Sequence, residues 1–211
     1  MLLKAIVFAA LFIISYLIGS INSAIIVGKL FNGDDIRSHG SGNAGATNAL
    51  RTYGVKAAVF VTVGDCLKSA ICCIVAMLVS KLFLLGELRD ISIYIAGIGA
   101  VLGHNFPIFF GFKGGKGILV SVTAFMFADW RISIVVLIIA LILIALTKYV
   151  SLGSVAGALM FIIAAFLFRF NDIYYIIFSL ILGLLAIFRH RENIKRLIEG
   201  KESKIGSKKK E

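Results

Sequence analysis

The chain has 211 residues, of which 60% are hydrophobic, and its formal net charge is +11. Its mean hydropathy is +1.00, and its apolar fraction exceeds the roughly 45–50% that is usual in a soluble domain. Too few polar residues remain to cover a water-facing surface, so the composition excludes an ordinary soluble protein and indicates an integral membrane protein. In such a protein the positive charge reports topology and attraction to anionic lipid, so no nucleic-acid partner is expected.

Apolar segments recur along almost the whole chain and predict an all-α integral membrane protein, a bundle of about seven transmembrane helices. The N-terminal segment looks like a signal peptide, but it is longer than a signal core and many more apolar segments follow, which favours a retained helix. The fourth segment is short, and the sequence leaves open whether it fully crosses the membrane. The predicted helices are residues 4–27, 57–80, 91–110, 118–129, 132–148, 152–169 and 173–188.

Lysine and arginine are divided unequally between the two ends of these helices. Sixteen fall on the side of the two polar loops and the C-terminus, five fall on the opposite side, and Lys68 lies within a helix. The positive-inside rule therefore predicts a cytoplasmic C-terminus and an N-terminus outside. The last 11 residues are expected to be disordered. We expect a transmembrane domain at 1–188 with cytoplasmic polar loops at 28–56 and 111–117, and a basic cytoplasmic tail at 189–211.

The first polar loop, 28–56, contains RSHGSGNAGATNALR, in which glycines alternate with hydroxyl and amide side chains. Glycine lets successive backbone N–H groups converge into an anion-binding nest, and hydroxyls, amides and a guanidinium add donors suited to phosphate. A flexible polar loop is the simpler interpretation. The alternation and the closing arginine favour phosphate binding, and the candidate residues are Ser41, Gly42, Asn43 and Arg51.

The second polar loop, 111–117, contains FKGGKG and separates two strongly apolar segments. A bound anion would offset the free energy of holding two lysines near hydrocarbon, and the glycines would let the backbone approach that anion closely. The last glycine opens the next helix, whose N-terminus carries positive partial charge. A short basic loop that only obeys the positive-inside rule is the alternative. The predicted phosphate-binding residues are Lys113, Gly114, Gly115, Lys116 and Gly117.

Nucleotide hydrolysis and metal chemistry are not predicted. A Walker A motif would have glycine where Phe110 stands and serine or threonine where Gly117 stands. The three cysteines, Cys66, Cys72 and Cys73, lie inside one apolar segment without metal-ligand spacing. We therefore expect no metal site.

Three further polar features lie in or beside the predicted helices. His190 and Asn193 are three residues apart, on one face of a helix that follows the last span, and the residues alone leave a functional and a structural histidine equally open. Ser154, near the start of the sixth helix, is either a hydroxyl donor at the site or part of a helix cap. For Asp65 and Lys68, inside the second helix, a mutual ion pair is favoured over a catalytic role.

Together the three polar segments resemble those of the bacterial acyl-phosphate:glycerol-3-phosphate acyltransferases. The shared patterns read GSGNAGATNALR, GHNFPIFFGFKGGKG and HRENIKRL here, in the same order and with similar spacing among the apolar segments. The resemblance covers almost the whole chain. It implies a seven-helix bundle of the bacterial inner membrane that transfers a fatty acyl group from acyl phosphate to the 1-hydroxyl of glycerol 3-phosphate. The implied products are lysophosphatidic acid and inorganic phosphate, and no cofactor is implied.

The resemblance also assigns roles to residues and partners. Glu202 is implied to be a structural carboxylate, and Ser154, offered by the residues as a hydroxyl donor, is predicted to join the residues that bind substrate phosphate. The general base is left open between His190 and a phosphate oxygen of the acyl donor. The implied partners are both substrates, membrane lipid and, as a candidate, the phosphate acyltransferase that produces acyl phosphate. Five residues are implied to be catalytic: Ser41, Arg51, Lys116, His190 and Asn193.

Two other functions remain open at this stage. A transporter for a small phosphorylated anion could use the same loops, but it would place its donors near the bilayer midplane and would usually show an internal repeat. A membrane scaffold with a basic lipid-binding tail would leave the glycine-rich segments unexplained. The glycerolipid acyltransferases with a His-x-x-x-x-Asp motif are excluded, because Ala44, Phe109 and Lys195 stand five residues after the three histidines.

Overall fold

The computed structural model describes residues 2–83 and 88–206. All regular secondary structure in those ranges is helical, either α-helix or short 3-10 turn. The chain divides into two compact units, Met1–Ala128 and Asp129–Glu211. Over the described residues, five helical segments are long and apolar enough to cross a membrane, and a bent helix pair adds a sixth if it counts as one span. The all-helical membrane fold is confirmed, whereas the count of seven is approximate.

The first unit, over its described residues 2–83 and 88–128, has six α-helices and two short 3-10 turns at Ile36–Ser38 and Ile108–Phe110. The six helices are α1 (Leu2–Gly19), α2 (Ser23–Asn32), α3 (Ala46–Tyr53), α4 (Val55–Phe83), α5 (Arg89–Asn105) and α6 (Ile118–Ala128). The second unit, described up to residue 206, has four α-helices. They are α7 (Trp130–Thr147), α8 (Val150–Phe168), α9 (Ile173–Arg189) and α10 (Arg191–Ile198), and α9 and α10 are bent by 56°.

The span predicted at 4–27 lies within one candidate membrane span, Leu2–Asn32, but its helix is interrupted between α1 and α2. Ser20 bends back to donate its hydroxyl to the carbonyl of Tyr16 at 2.8 Å. Asn22 then caps α2, and its side-chain oxygen accepts a hydrogen bond from the N–H of Ile25 at 3.1 Å. Hydropathy does not reveal this break, since the residues around it are themselves apolar.

Helices α1 and α5 pack closely because three glycines line their contact. A Cβ atom on Gly103 would lie 2.1 Å from the carbonyl oxygen of Tyr16, and one on Gly19 would lie 2.2 Å from that of Ala100. A Cβ atom on Gly99 would lie 2.7 Å from another α1 carbonyl oxygen. Small residues at such contacts let two membrane helices approach through their backbones. This packing fixes the C-terminal end of α5, from which the second polar loop begins.

Two other predicted boundaries differ from the structure. The first polar loop contains α3, and the predicted helix at 91–110 already ends at Asn105, because Pro107 cannot continue it. Helix α6 has 11 residues. At about 1.5 Å per residue it is shorter than the roughly 30 Å hydrocarbon core, as the sequence predicts for the short fourth segment.

One end of the second unit is held together by Arg169, at the end of α8. Its guanidinium donates to Asp129 at 3.0 Å and to Asp172 at 2.9 Å. Both carboxylates also cap helices: Asp129 accepts from the N–H groups that begin α7, and Asp172 accepts from the N–H of Tyr175 in α9. The arginine therefore joins three helix ends of this unit.

The expected disorder of the last residues is wrong for the part that the structure describes. Glu202 is buried and accepts several hydrogen bonds. The N–H of Ile205 donates to the carbonyl of Lys148, between α7 and α8, at 2.9 Å. Residues 207–211, which complete the predicted basic tail, lie outside the described residues.

Candidate active site

The glycine-rich part of the first polar loop is held by Asn48, which is fully buried on α3. Its side-chain oxygen accepts from the N–H of Ser41 at 2.9 Å, and its amide nitrogen donates to the carbonyls of Ile36 at 3.2 Å and His39 at 3.0 Å. Gly40 has a φ of +58°, and a Cβ atom there would lie 2.2 Å from the Asn48 oxygen. The loop therefore has one defined path around this amide.

Arg37 brings the two polar loops together. Its Nη1 donates to the carbonyl of Phe110 at 2.7 Å and to that of Lys113 at 3.1 Å. Its Nε and Nη2 bind the carboxylate of Asp35 at distances of 2.7–3.1 Å. These hydrogen bonds lower the pKa of Asp35 and outweigh the opposing effect of its partial burial. The two polar loops, which the sequence places on the same side of the membrane, are therefore joined by a guanidinium fork.

The neighbouring carboxylate, Asp34, is also engaged inside the first polar loop. Tyr53 donates its hydroxyl to one oxygen of Asp34, and His39 lies against the other. Burial, together with the hydrogen bond to Asp34, raises the pKa of Tyr53 to about 12. Both acidic residues of the loop are therefore paired with donors of the same segment, which reduces their repulsion of a bound anion.

The second polar loop is folded back onto the end of α5. Gly114 donates its N–H to the carbonyl of Asn105 at 3.2 Å, and Gly115 donates to that of His104 at 3.2 Å. A Cβ atom on Gly114 would lie 2.0 Å from the His104 carbonyl oxygen, and one on Gly115 would lie 2.7 Å from the carbonyl oxygen of Ala44. These two glycines are required for close approach to neighbouring backbone.

The sequence predicts that Gly114 and Gly115 bring the backbone close to an anion, whereas in the structure they bring it close to the end of α5. Neither has a positive φ, and their N–H groups bond to α5 carbonyls. The left-handed backbone of this loop lies instead at Gly111, with a φ of +66°, at Phe112, with a φ of +60°, and at Gly117, with a φ of +79°. Gly117 immediately precedes α6, as the sequence predicts.

The remaining candidates of the first unit lie around these two loops. Ser41 and Gly42 are exposed, and Asn43 is half-buried. Lys113 is exposed, Lys116 is half-buried, and Arg51 is exposed on α3. The unit therefore presents hydroxyl, amide and cationic groups on two polar segments that are in direct contact through Arg37 and through Gly115 against Ala44.

Sequence reasoning missed three residues that organise this part of the site: Arg37, Asn48 and His104. Asn48 is counted there as one polar residue among several, and Arg37 as a topological charge. For Arg37 and Asn48, the sequence signal that could have identified them is only partial. Both lie in a glycine-rich segment, but Arg37 binds carbonyl groups of Phe110 and Lys113, and Asn48 binds carbonyl groups earlier in its own loop.

The ion pair expected between Asp65 and Lys68 is confirmed, with Nζ and Oδ1 3.0 Å apart. It lies inside α4 and is buried. Among the described residues, no group of three or more histidine, cysteine, aspartate or glutamate side chains could hold a metal ion.

In the second unit, Glu202 gathers three side chains. Its carboxylate accepts from Ser151 at 2.9 Å, from the amide of Asn193 at 2.7 Å and from the guanidinium of Arg196 at 2.7 Å. Burial raises the pKa of Glu202, but the hydrogen bonds from these partners together lower it by more. The pKa therefore lies below its usual value. The predicted structural role of Glu202 is confirmed, since it joins α8, α10 and the following segment.

His190 is buried at the junction of α9 and α10, and its Nδ1 lies 2.8 Å from the carbonyl oxygen of Ala186. A carbonyl only accepts, so this contact assigns the hydrogen of the neutral ring to Nδ1 and leaves Nε2 as the basic nitrogen. Asn193 lies one helical turn beyond, anchored to Glu202. Ser154 is half-buried on α8, one turn after the Ser151 that contacts Glu202.

Known proteins match this chain over almost its whole length. The family model "Glycerol-3-phosphate acyltransferase" matches residues 9–200. A glycerol-3-phosphate acyltransferase of Thermoanaerobacter sp. (strain X514) is 49% identical over 196 residues, which cover 93% of this chain and 94% of the relative. One of Bacillus subtilis (strain 168) is 44% identical over 197 residues, which cover 93% of this chain and 97% of the relative.

Two crystal structures are similar over 94% of this chain at 35% sequence identity. Both are of PlsY (YgiH), an integral membrane glycerol 3-phosphate acyltransferase. The glycerol 3-phosphate form has a TM-score of 0.84 and is covered to 96%, and the lysophosphatidic acid form has a TM-score of 0.78 and is covered to 95%.

Proposed function

The chain belongs to the glycerol-3-phosphate acyltransferase family, and from that premise we propose that it transfers a fatty acyl group from acyl phosphate to the 1-hydroxyl of glycerol 3-phosphate. The products are lysophosphatidic acid and inorganic phosphate. The observation that carries this proposal is the similarity, over nearly the full chain, to an enzyme solved in a glycerol 3-phosphate form and a lysophosphatidic acid form.

The polar loops of the first unit supply the groups that phosphate chemistry requires. Cationic side chains and oriented donors stabilise the charge on a departing phosphate, and they also hold a phosphorylated alcohol for attack. We assign catalytic roles here to Ser41, Arg51 and Lys116. In the first unit, the residues proposed to bind substrate phosphate are Ser41, Gly42, Asn43, Arg51, Lys113, Gly114, Gly115, Lys116 and Gly117. In the second unit, Ser154 is the proposed phosphate-binding residue.

His190 is the proposed general base, since its Nδ1 contact leaves Nε2 as the proton acceptor. Nε2 takes the proton of the 1-hydroxyl as its oxygen attacks the acyl carbonyl, and the bond from that carbonyl to the phosphate oxygen breaks. Asn193 assists from the same helix junction, where Glu202 fixes its amide. A phosphate oxygen of the acyl donor is the alternative acceptor for the proton.

The protein spans a membrane several times. Its helices expose many leucine, isoleucine and phenylalanine side chains, a surface suited to lipid, where each buried methylene of the acyl chain is worth about 0.8 kcal/mol. We assign the protein to the bacterial inner membrane, with the N-terminus outside and the C-terminus cytoplasmic. An enzyme that produces acyl phosphate is the partner expected to supply the donor.

The test is acyl transfer by the purified protein in detergent, with synthetic palmitoyl phosphate and labelled glycerol 3-phosphate. We expect labelled lysophosphatidic acid and an equal amount of released phosphate. His190→Gln should abolish most of this activity, and His39→Gln, which changes an exposed histidine, should retain it. Activity that is unchanged in His190→Gln would remove this residue as the base.

An assay with the same protein in lipid vesicles distinguishes an acyltransferase from a transporter for a small phosphorylated anion. Labelled glycerol 3-phosphate that accumulates inside the vesicles without forming lysophosphatidic acid would reject the proposed reaction and favour transport. The names of the relatives and of the two solved forms support the acyltransferase.

A further inference from the structure

Three ionisable side chains meet in the interior of the first unit, beneath the second polar loop. Asp65 is 2% exposed, Lys68 is 5% exposed and His104 is 3% exposed. Asp65 and Lys68 lie on α4, and His104 lies near the end of α5. The proposed reaction gives none of them a role, although ionisable groups inside a membrane protein are expensive to bury and usually have one.

The contacts of Lys68 match the three hydrogens of an ammonium group. Its Nζ lies 3.0 Å from Oδ1 of Asp65, 2.9 Å from the carbonyl oxygen of Ile21 and 2.9 Å from Nδ1 of His104. Ser23 donates its hydroxyl to the same oxygen of Asp65 at 3.0 Å. One carboxylate, one carbonyl and one ring nitrogen therefore receive the three donors.

This arrangement assigns the hydrogen of His104. An ammonium group only donates, so Nδ1 of His104 accepts from Lys68 at 2.9 Å, and Oδ1 of Asp65 lies farther from Nδ1, at 3.5 Å. The hydrogen of the neutral ring is therefore on Nε2. His190 has the opposite tautomer, with its hydrogen on Nδ1, so the two buried histidines of this chain can be distinguished by experiment.

His104 stands between the two polar loops. Its carbonyl accepts the N–H of Gly115. A Cβ atom on Gly115 would lie 2.1 Å from Nε2 of His104 and 2.7 Å from the carbonyl oxygen of Ala44. The donor side of the ring thus borders the backbone of the second loop at the place where that loop contacts the first. A rotation of the ring would displace Gly115.

We propose that Lys68 and Asp65 are positioning residues for the phosphate-binding loops, and that they act by locking the ring of His104 against Gly115. The inference rests on the proposed function for its substrate, glycerol 3-phosphate. It adds a buried layer of support to residues that would bind the phosphate directly, because oriented donors work only when their own supports are fixed.

A purely structural ion pair is the competing explanation. Such a pair would hold α4 to the break between α1 and α2 through Ile21 and Ser23, and its loss would lower stability alone. Apolar side chains of similar volume serve packing as well as a buried ion pair does. The two explanations therefore separate when both charges are removed together.

The test variant is Asp65→Asn combined with Lys68→Met, which leaves no isolated charge buried. The matched control is Ser69→Ala on the same helix, which loses a buried hydrogen bond to the carbonyl of Val120. Binding of glycerol 3-phosphate is measured by titration calorimetry, transfer by steady-state kinetics and folding by thermal melting. We expect Kd and KM to rise about tenfold or more in the double variant with little change in kcat, and to stay unchanged in the control.

A folded double variant with normal Kd and KM would overturn the proposal and leave the structural pair. If the double variant does not fold, His104→Asn replaces it, because asparagine keeps an acceptor for Lys68 but lacks the ring edge that borders Gly115. The same rise in Kd is expected, and a normal Kd would again overturn the proposal. Wild-type protein that binds glycerol 3-phosphate but shows no acyl transfer would reject the proposed reaction and leave the positioning role standing.

The tautomer supplies an independent readout, since the chain has only three histidines. We expect ¹⁵N spectra of histidine-labelled protein at pH 7 to show His104 neutral with its hydrogen on Nε2. In the double variant this single tautomer should give way to a mixture. A wild-type His104 with its hydrogen on Nδ1, or on both nitrogens, would contradict the lock.

Discussion

Gly114 marks the narrowest point in the packing of the second polar loop. A Cβ atom there would lie 2.0 Å from the carbonyl oxygen of His104 and 2.6 Å from the ring of Pro107. Backbone and a proline ring cannot move aside as a flexible side chain can. Gly111 offers the opposite case, with a φ of +66° and nothing within 4 Å of its Cβ position. The two positions separate crowding from backbone conformation within one loop.

Gly114→Ala is expected to raise the KM for glycerol 3-phosphate about tenfold, because the loop must shift to admit the methyl group, while kcat changes less. Gly111→Ala should cost about 1 kcal/mol of stability from its left-handed backbone and leave the KM near normal. Steady-state kinetics and melting curves in detergent decide between them. Equal kinetics in both variants would take the close packing of Gly114 out of substrate binding.

Arg51→Lys should impair transfer nearly as much as Arg51→Ala. A guanidinium can bind a phosphate through two parallel hydrogen bonds, whereas an ammonium is a point charge on a flexible stem. Arg51 is exposed on α3, so both variants should keep the melting temperature of the wild type. We expect a loss of about a hundredfold in kcat/KM in each. A lysine variant with wild-type activity would show that charge alone suffices, or that Arg51 lies off the site.

Arg37 acts between elements, because its fork joins the first polar loop to the carbonyls of Phe110 and Lys113. Arg37→Lys keeps the charge but cannot reach both carbonyls and the Asp35 carboxylate at once. The KM for glycerol 3-phosphate should rise about tenfold, with kcat less affected.

Asp35→Asn is the matched control for the Arg37 fork. It removes the charge from the other side of the fork but leaves an acceptor, so both carbonyl contacts of Arg37 should survive and the KM should rise by less than in Arg37→Lys. The reverse order would mean that the ion pair, not the bridge to the second loop, is what matters.

The contacts of Glu202 predict an acid-sensitive end for the second unit. Its folded pKa is lowered by hydrogen bonds from Asn193, Arg196 and Ser151 against the raising effect of burial. A lowered folded pKa contributes stability that is fully present above the unfolded value, near 4.5, and is lost as pH falls through the folded value. Thermal stability of the wild type should therefore drop as the solution is acidified below about pH 4.5.

Glu202→Gln tests this assignment. The glutamine keeps an acceptor oxygen but has no charge, so the variant should be less stable than the wild type at pH 7 by about 1–3 kcal/mol. The difference should shrink as the pH falls below the unfolded pKa. Melting temperatures measured from about pH 7 down to about pH 3 give the comparison, and a constant difference over that range would show that Glu202 does not titrate with folding.

At the scale of elements, what hydropathy could predict was the run of apolar segments, because burial in lipid imposes that pattern directly. It could not predict the break at Ser20 and Asn22, where local hydrogen bonds interrupt an apolar run. It also could not predict α3, whose glycine-rich setting resembles a loop. The positions of Asn48 and Arg37 escaped for a related reason, since their partners are carbonyl groups that only the folded chain brings near.

For the whole molecule, composition and motif order were sufficient to predict a membrane-spanning, all-helical protein and its family. Physical reasoning on the residues pointed to phosphate, and the resemblance supplied the reaction. The mechanism of the glycine loop was harder to foresee, because glycine serves both left-handed backbone and close packing. Gly114 and Gly115 serve the latter, which a sequence without coordinates does not distinguish.

The acyl donor of the proposed reaction is acyl phosphate. Acyl phosphate is an activated mixed anhydride whose leaving group is phosphate, the same class of anion that the polar loops are proposed to bind through both substrates. Coenzyme A is a far larger leaving group, and its thioester offers no phosphate at the reacting carbon. The histidines of this chain also do not form the His-x-x-x-x-Asp motif of the other glycerolipid acyltransferases.

We therefore expect palmitoyl-coenzyme A to support less than about 1% of the kcat/KM obtained with palmitoyl phosphate. The comparison uses one preparation, equal acyl chains and saturating glycerol 3-phosphate, with His190→Gln as the blank. Comparable turnover with the two donors would reject acyl phosphate as the specific donor, while leaving the acceptor and the product unchanged.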